Sequence, residues 1–232
     1  MDWFNAWWAD FAATFYKCFI KDDRYKFLIS GIEVTIKVSL LAVVIGIIIG
    51  LIIALCNLSK NKGLNIIGKI YTDVIRGTPS VTQLMIIYFV VFATVNWEKW
   101  VIASIAFGIN SGAYVSEIIR AGILSIDKGQ TEAGRSLGLS ATQTMVYIII
   151  PQAVKNIFPA LCNEFIVLIK ETAIVGYVGL VDIQKAGDFI KSATFEAFMP
   201  LIVTAIIYFV LIKILTIALG YIEAALRKSE VR

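Results

Sequence analysis

The chemistry open to this chain is bounded first by what it lacks. No histidine occurs among its 232 residues. That removes Ser-His-Asp and Cys-His catalysis, most zinc sites and haem ligation by histidine. The three cysteines, Cys18, Cys56 and Cys162, lie far apart, and no pair has metal-ligand or redox spacing. Cys56 and Cys162 sit in apolar runs, where a thiol reads as a small buried hydrophobe. There is no Gly-x-x-x-x-Gly-Lys-[Ser/Thr] phosphate loop, so any nucleotide must bind a partner. What remains is a set of charged and amide side chains set in apolar sequence: Asp73 and Arg76; Asn110, Tyr114, Glu117 and Arg120; Asn163, Glu164, Lys170 and Glu171. An enzyme built on these would have to use carboxylates alone. A pathway that recognises and passes a polar solute suits them better, because ionisable groups inside a membrane are costly and are functional candidates by default.

The elements that must position these side chains follow from composition. Of the residues 59% are hydrophobic and 16% charged, and the mean hydropathy is +0.82. Soluble domains are nearer half apolar, with about a quarter charged. The excess must face something other than water, which excludes disorder, a collagen-like fibre and a disulfide-stapled secreted domain. A net charge of +4 is too mild to imply nucleic acid. A spanning helix needs about 20 mostly apolar residues, and five stretches qualify: 32–57, 70–95, 100–122, 141–170 and 199–222. The fourth contains Pro151, Pro159, Lys155, Glu164 and Lys170, so it is expected to face protein or a water-filled path rather than lipid. The reading is therefore an all-α membrane bundle of five helices.

Orientation follows from the basic residues. Lys60, Lys62, Lys69 and Arg76 flank one connection, Arg120, Lys128 and Arg135 a second, and Arg227, Lys228 and Arg232 the C-terminus. The positive-inside rule places all three in the cytoplasm and the N-terminus outside. Lys17, Lys21, Arg24 and Lys26 oppose this, with Asp10, Asp22 and Asp23 beside them. The connections near 96–99 and 176–198 are mixed in sign and fit the outside. The N-terminus lacks the basic region of a signal peptide. Its Trp3, Phe4, Trp7, Trp8, Phe11, Phe15 and Tyr16 suggest a helix at the bilayer surface. The chain divides into this aromatic segment (1–26), the membrane bundle (27–226) and a short cytoplasmic tail (227–232).

Glu33 and Lys37 are spaced to pair at i,i+4. Gly77 and Pro79 mark a kink or unwound turn, and Pro151 a second such point. Asn110, Tyr114 and Glu117 fall on one helix face, as do Asn163 and Lys170. With Glu164 these are the candidate pathway. For each, a helix–helix polar contact that only holds the bundle together is the alternative; Glu117 with Arg120 is equally an intrahelical pair.

The most informative stretch is the connection 125–151. Asp127 can cap a helix, with Gln130 reaching back. Gly138 suits the left-handed residue that ends one. Ser140 with Gln143 makes a second capping box. A helix of about three turns is expected across the membrane surface, its small Ala133 and Gly134 allowing close approach by another surface. Glu132, Ala133, Gly134, then Gly138, then Ile148 to Pro151 resemble the cytoplasmic signature of permease subunits of ATP-binding-cassette importers: Glu-Ala-Ala, three residues, Gly, nine residues, Ile-x-Leu-Pro. Gly134 replaces the second Ala and Ile150 the Leu, with the spacing intact. Arg76-Gly77-Thr78-Pro79, Ala113-Tyr114 with Glu117 and Arg120, Gly129-Gln130, and Lys170-Glu171-Thr172 resemble the polar amino acid permeases among them.

The resemblance implies a type I importer fold in which two permease chains, identical or close paralogues, form the path. Two ATPase subunits carrying ATP and Mg sit below, and an extracellular binding protein delivers the amino acid. No cofactor or metal is expected on this chain, and it is not itself an enzyme. Glu132, Ala133, Gly134, Leu137 and Gly138 are implied to meet the ATPase. A surplus of carboxylates favours a cationic side chain, whereas a neutral amide would use Asn110 and Asn163. An ion-coupled secondary transporter is the rival; that class shows paired repeats and more spans, and neither is found. With the native cysteines replaced, a cysteine at Lys128 should react with impermeant thiol reagents only from the cytoplasm, and one at Asp188 only from outside. Labelling of both from one side would overturn the five-span topology.

Overall fold

The structure, a computed structural model, describes residues 2–227, and every regular element in them is helical. The elements are α1 (Asp2–Phe15), α2 (Tyr25–Leu58), α3 (Lys62–Arg76), α4 (Ser80–Ile86), α5 (Lys99–Leu124), α6 (Lys128–Ser136), α7 (Ala141–Thr144), α8 (Ile150–Glu171), α9 (Ile183–Thr194) and α10 (Phe198–Arg227). Among the described residues, four helical stretches are long and apolar enough to cross a membrane: Tyr25–Leu58, Lys99–Leu124, Ala141–Val178 and Phe198–Ala225. α3 and α4, the latter continued by wide turns over Ile87–Val91, make a fifth crossing if taken as one broken span. Part of the expected tail, 228–232, lies outside the described residues.

α5 is the hub. Its side chains are the most buried of the spanning helices, and its principal neighbour is α2. The two backbones touch through paired glycines four apart, Gly46 and Gly50 on α2 against Gly108 and Gly112 on α5. A Cβ at Gly112 would stand 2.7 Å from Ile49 Cγ2, one at Gly108 2.5 Å from Ile45 Cγ2, and one at Gly46 3.1 Å from Ser111; one at Gly50 would collide with Val115. Small residues at this spacing let helices approach where lipid supplies no hydrophobic drive. Around the seam, Val38, Ala42, Leu84, Ala103, Ala106, Phe107, Leu168 and Val175 close the core. Large apolar side chains such as Leu55 and Phe209 point outward.

The break expected at Gly77 and Pro79 is present: α3 and α4 meet there at 104°. Asn61 caps α3 through Oδ1, which accepts from Gly63 N at 2.9 Å, and Pro79, in extended backbone, precedes α4. Pro151 lies inside the continuous helical stretch Ala141–Val178, directly after wide turns over Met145–Ile149, the kind of local irregularity that accompanies a proline lacking an N–H donor. The segment 176–198 is not a plain loop but carries α9, packed on α2 and α10. Asp182 caps it, its carboxylate accepting from Gln184 N at 3.1 Å and Lys185 N at 3.0 Å. Gly31 on α2 admits the Asp182 backbone, which a Cβ would meet at 2.7 Å.

The aromatic N-terminal segment is helical, as expected. Trp3, Phe4, Trp7 and Trp8 remain exposed, while Cys18 and Phe19 anchor it among Leu28, Ala186, Ile190 and Met199. A Lys17–Glu196 ion pair at 2.9 Å ties it to the turn after α9.

If the glycine seam sets the bundle, Gly112→Ile should lower the unfolding temperature of the purified permease, by an amount equivalent to about 1–3 kcal/mol of overpacking. Gly220→Ala, with nothing within 4 Å, should leave it unchanged. Equal stability of the two variants would refute the seam.

Candidate functional site

The polar side chains of the spanning helices gather at three levels along α5. At its middle, Asn110 is buried and donates through Nδ2 to Gln83 Oε1 at 2.9 Å. Gln83 Nε2 donates in turn to Ile75 O at 2.7 Å and Thr78 Oγ1 at 2.7 Å. The Ile75 carbonyl is set free by the break between α3 and α4. Backbone groups at membrane depth must be met by protein or water, and here an amide side chain meets them. Tyr71 adds a second tie, its hydroxyl donating to Ile109 O at 2.6 Å.

One residue on, Ser111 Oγ donates to Glu164 Oε1 of α8 at 2.7 Å. This bond joins the two helices that carry most of the candidate residues. Asn163, beside it, faces outward and is exposed.

Toward the end of α5, a cavity of about 420 Å³ is lined by charged and amide groups from α3, α5 and the end of α2, among them Asn57, Lys69, Asp73, Arg76, Glu117 and Arg120. Glu117 and Arg120 form the intrahelical pair, with the shortest contact at 2.8 Å. Arg76 lies 5.4 Å above the Tyr114 ring, a cation–π geometry. Asn110, Tyr114 and Glu117 thus share a face but not a partner set: Asn110 is engaged by the α3–α4 break, whereas Tyr114 and Glu117 belong with the charged cavity. Lys170 stands apart from all of these, on a cavity between α8, α9 and α10.

The connection carrying the signature folds as α6, closed at both ends. Asp127 Oδ1 accepts from Gly129 N at 2.6 Å. Gln130 does not reach back to complete a box; its Oε1 accepts from Gln152 at 3.3 Å. Gly138 has φ +83°, and a Cβ there would meet nothing within 4 Å. Ser140 and Gln143 form the expected reciprocal box. Glu132, Ala133, Leu137 and Gly138 are exposed, Leu137 at 82%. Gly134 is buried within the chain instead, where a Cβ would meet Thr144 and Ile148 at 2.8 Å. Its small size brings α6 onto its own following helix rather than onto another surface.

Sequence reasoning missed Gln83, Asp182 and Tyr208. Gln83 was visible as an amide in an uncharged run, four residues after Pro79. Asp182 has no exposed surface, and Oδ2 accepts from the Tyr208 hydroxyl at 2.8 Å. Burial pushes its carboxyl above the ordinary aspartate value, and its hydrogen bonds offset that only in part.

Comparison with known proteins agrees on one kind of molecule. Residues 46–228 match the family described as binding-protein-dependent transport system inner membrane component. The putative glutamine transport system permease protein GlnP of Rickettsia bellii is 42% identical over 202 residues, covering 86% of this chain and 93% of that protein. The arginine transport system permease protein ArtQ of Bacillus subtilis is 40% identical over 223 residues, 95% of this chain and 99% of that one. A crystal structure of an amino acid ABC transporter with histidines superposes with a TM-score of 0.81 at 44% identity, covering 89% of this chain and 98% of the other.

The Ser111–Glu164 bond invites a double-mutant cycle with Ser111→Ala and Glu164→Leu, which removes the acceptor. A hydrogen bond is worth about 0.5–1.5 kcal/mol net. Ser111→Ala should therefore destabilise the permease when Glu164 is present, and far less once Glu164→Leu is in place. Additive effects on the unfolding temperature would show that the bond does not hold α5 to α8.

Proposed function

Because this chain belongs to the binding-protein-dependent transport system inner membrane components, as an amino acid permease of the ATP-binding-cassette class, we propose that two permease chains form a translocation path driven by two separate ATPase subunits. The second chain is a copy of this one or a close paralogue. An extracellular binding protein loads the path, with the N-terminus outside and the C-terminus cytoplasmic. The observation that carries the reading is the α6 connection. Between two span-length helices stands a short capped helix, and in it and the turn that ends it Glu132, Ala133, Leu137 and Gly138 are exposed. Such a face suits a cleft on an ATPase: Glu132 offers charge, Leu137 an apolar knob, and Ala133 and Gly138 room for close approach.

In this reading none of these residues performs chemistry. Work enters as differential affinity, the ATP-bound and nucleotide-free ATPases favouring different permease conformations. ATP and Mg belong to the partner, since this chain has no phosphate loop. The solute path runs by Asn110, Tyr114, Glu117, Asn163, Glu164 and Lys170, with Gly77 and Pro79 as the place where the α3–α4 bend changes. Relatives named for glutamine and for arginine support a polar amino acid as cargo, and the carboxylates Glu117, Glu164 and Glu171 favour a cationic side chain.

Gly138→Val tests the coupling role. A β-branched residue at φ +83° is strained by about 1–3 kcal/mol, which distorts the end of α6. Uptake and binding-protein-stimulated ATP hydrolysis should both be lost, with the permease still inserted in the membrane. Normal stimulated hydrolysis would show that this connection does not transmit the work of the ATPase.

A further inference from the structure

Helix α1 leaves the bundle with its side chains uncovered: every residue from Trp3 to Asp10 is exposed. At 100° per residue, Trp3, Phe4, Trp7, Trp8, Phe11 and Phe15 fall within an arc of about 140°, and the rest of the circumference carries alanines with Asn5 and Asp10. The rings form one run. Phe4 lies 6.3 Å from Trp7, and Trp7 and Trp8 stack on Phe11 at 5.7 Å and 5.6 Å. A helix of 14 residues standing free in water is marginal, and a contiguous aromatic face of this kind marks an interaction surface. α1 also lies outside residues 46–228, the stretch that matches the family.

What lies under this face follows from the part of it that is covered. Phe11, in the middle of the arc, is half-buried against the cluster that includes Cys18, Phe19, Ile190 and Met199. Met199 is in the first turn of α10, whose Leu201, Ile202 and Ile206 are exposed on a helix long and apolar enough to cross a membrane. The face that α1 sets against the bundle therefore continues, past the bundle's edge, onto the lipid beside α10.

A second aromatic group stands at the same end. Phe195, in the turn between α9 and α10, has φ +57° and is 95% exposed, and Phe198 is 74% exposed. A bulky residue held in the left-handed region costs about 1–3 kcal/mol, and here the strain turns a ring away from the protein. The Lys17–Glu196 ion pair and the Cys18 thiol on Thr194 Oγ1 at 3.9 Å bind this turn to the end of α1. Arg24 pairs with Asp22 and Lys26 with Asp23, so charge gives this end little with which to select a protein partner. Tryptophan and phenylalanine on one face, with few charges on the other, suit the boundary between headgroups and acyl chains.

We propose that α1 and the turn carrying Phe195 form one platform in the bilayer interface, with the lipid beside α10 as its partner. It fixes the adjoining ends of α2, α9 and α10 at a common depth. That this is the outer leaflet rests on the orientation proposed above.

The test uses the full complex of permease and ATPase in liposomes, with Cys18, Cys56 and Cys162 replaced and a nitroxide on one introduced cysteine at a time. Oxygen collides with labels in lipid, and a nickel chelate with labels in water. Labels at Phe4, Trp8 and Phe195 should favour oxygen, and labels at Ala6, Ala9 and Ala13 the nickel chelate. Trp3→Ser with Trp7→Ser should abolish the oxygen preference at Phe4. The pattern should be the same in phosphatidylcholine alone, with phosphatidylglycerol added, and at high salt. Nickel contact at every position of α1 leaves the helix in water, and oxygen contact at every position makes it a span; either result overturns the platform, as does a water-exposed label at Phe195. A pattern that appears only with an added amino acid-binding protein gives the face to that protein, and one that needs phosphatidylglycerol gives it to headgroup charge; both overturn the proposal. A cysteine at Ala6 should react with an impermeant thiol reagent outside intact cells. Reaction only from the cytoplasm overturns the orientation and the choice of leaflet, while the oxygen pattern decides the lipid contact by itself.

Discussion

Helices α2 and α5 are held so close at Gly46, Gly50, Gly108 and Gly112 that no side chain larger than hydrogen fits between them without displacing a neighbour. In a bilayer, apolar surface gains little by turning from lipid to protein, so helices associate through shape and hydrogen bonds. The glycine seam supplies the shape. With one side of α5 closed against α2, its other residues are distributed among α3, α4 and α8. Asn110, Ser111, Tyr114 and Glu117 cover little more than two turns of helix, yet each reaches a different neighbour: Gln83, Glu164, Arg76 and Arg120. A loosened seam would disturb the contacts between helices together.

The break between α3 and α4 shows how a membrane protein keeps an irregular backbone at depth. Pro79 cannot donate a hydrogen bond and the chain turns by 104°, which exposes acceptors at Ile75 and Thr78. Gln83 covers both and is itself oriented by Asn110. The bend is thus braced to α5 at two points, by this amide pair and by the Tyr71 hydroxyl on Ile109 O. Arg76 over Tyr114 adds a third contact just before the turn. A bend secured by a few polar contacts, rather than by continuous packing, has discrete alternatives when those contacts exchange.

Much of this was legible in the sequence, for physical reasons. The apolar lengths of α2, α5, α8 and α10 exceed what a soluble core uses, and the caps at Asp127, Gly138 and Ser140 depend on local stereochemistry alone. The i,i+4 pair of Glu33 and Lys37 and the i,i+3 pair of Glu117 and Arg120 likewise need only one helix. What was not legible depends on contacts distant in the chain. Hydropathy sums over 70–95 without sensing direction; Gly77 and Pro79 mark the break, but its angle of 104° is a tertiary fact. The segment 176–198 is mixed in polarity, and α9 is secured by Asp182, whose partner Tyr208 is 26 residues away. Gly134 looked like a surface for another protein because its neighbour within the chain, Ile148, is reached only after the chain has turned back. The paired glycines four apart were visible, but what they pack against is a tertiary fact.

The connections at the α6 end bear on how a push there would travel. Asn156 of α8 donates to Ser125 Oγ at 2.9 Å, just past the end of α5, and Gln152 reaches Gln130 of α6. Ile157 fills the space left by Gly122. α5, α6 and the first half of α8 are therefore joined at several points within a few turns, and the Ser111–Glu164 bond closes the same pair of helices further along. On the proposed coupling role, movement of α6 would carry α5 and α8 together as one body. The α3–α4 bend, tied to α5 mainly by Gln83, Tyr71 and Arg76, is then the part that must either follow or let go. The charged cavity lies between these two parts, with Arg76 and Asp73 on one wall and Glu117 and Arg120 on the other. Relative motion would change the separation of opposite charges across it. Because such interactions strengthen steeply as water is excluded, on the proposed coupling role a displacement of α6 would change the electrostatic energy stored across that cavity.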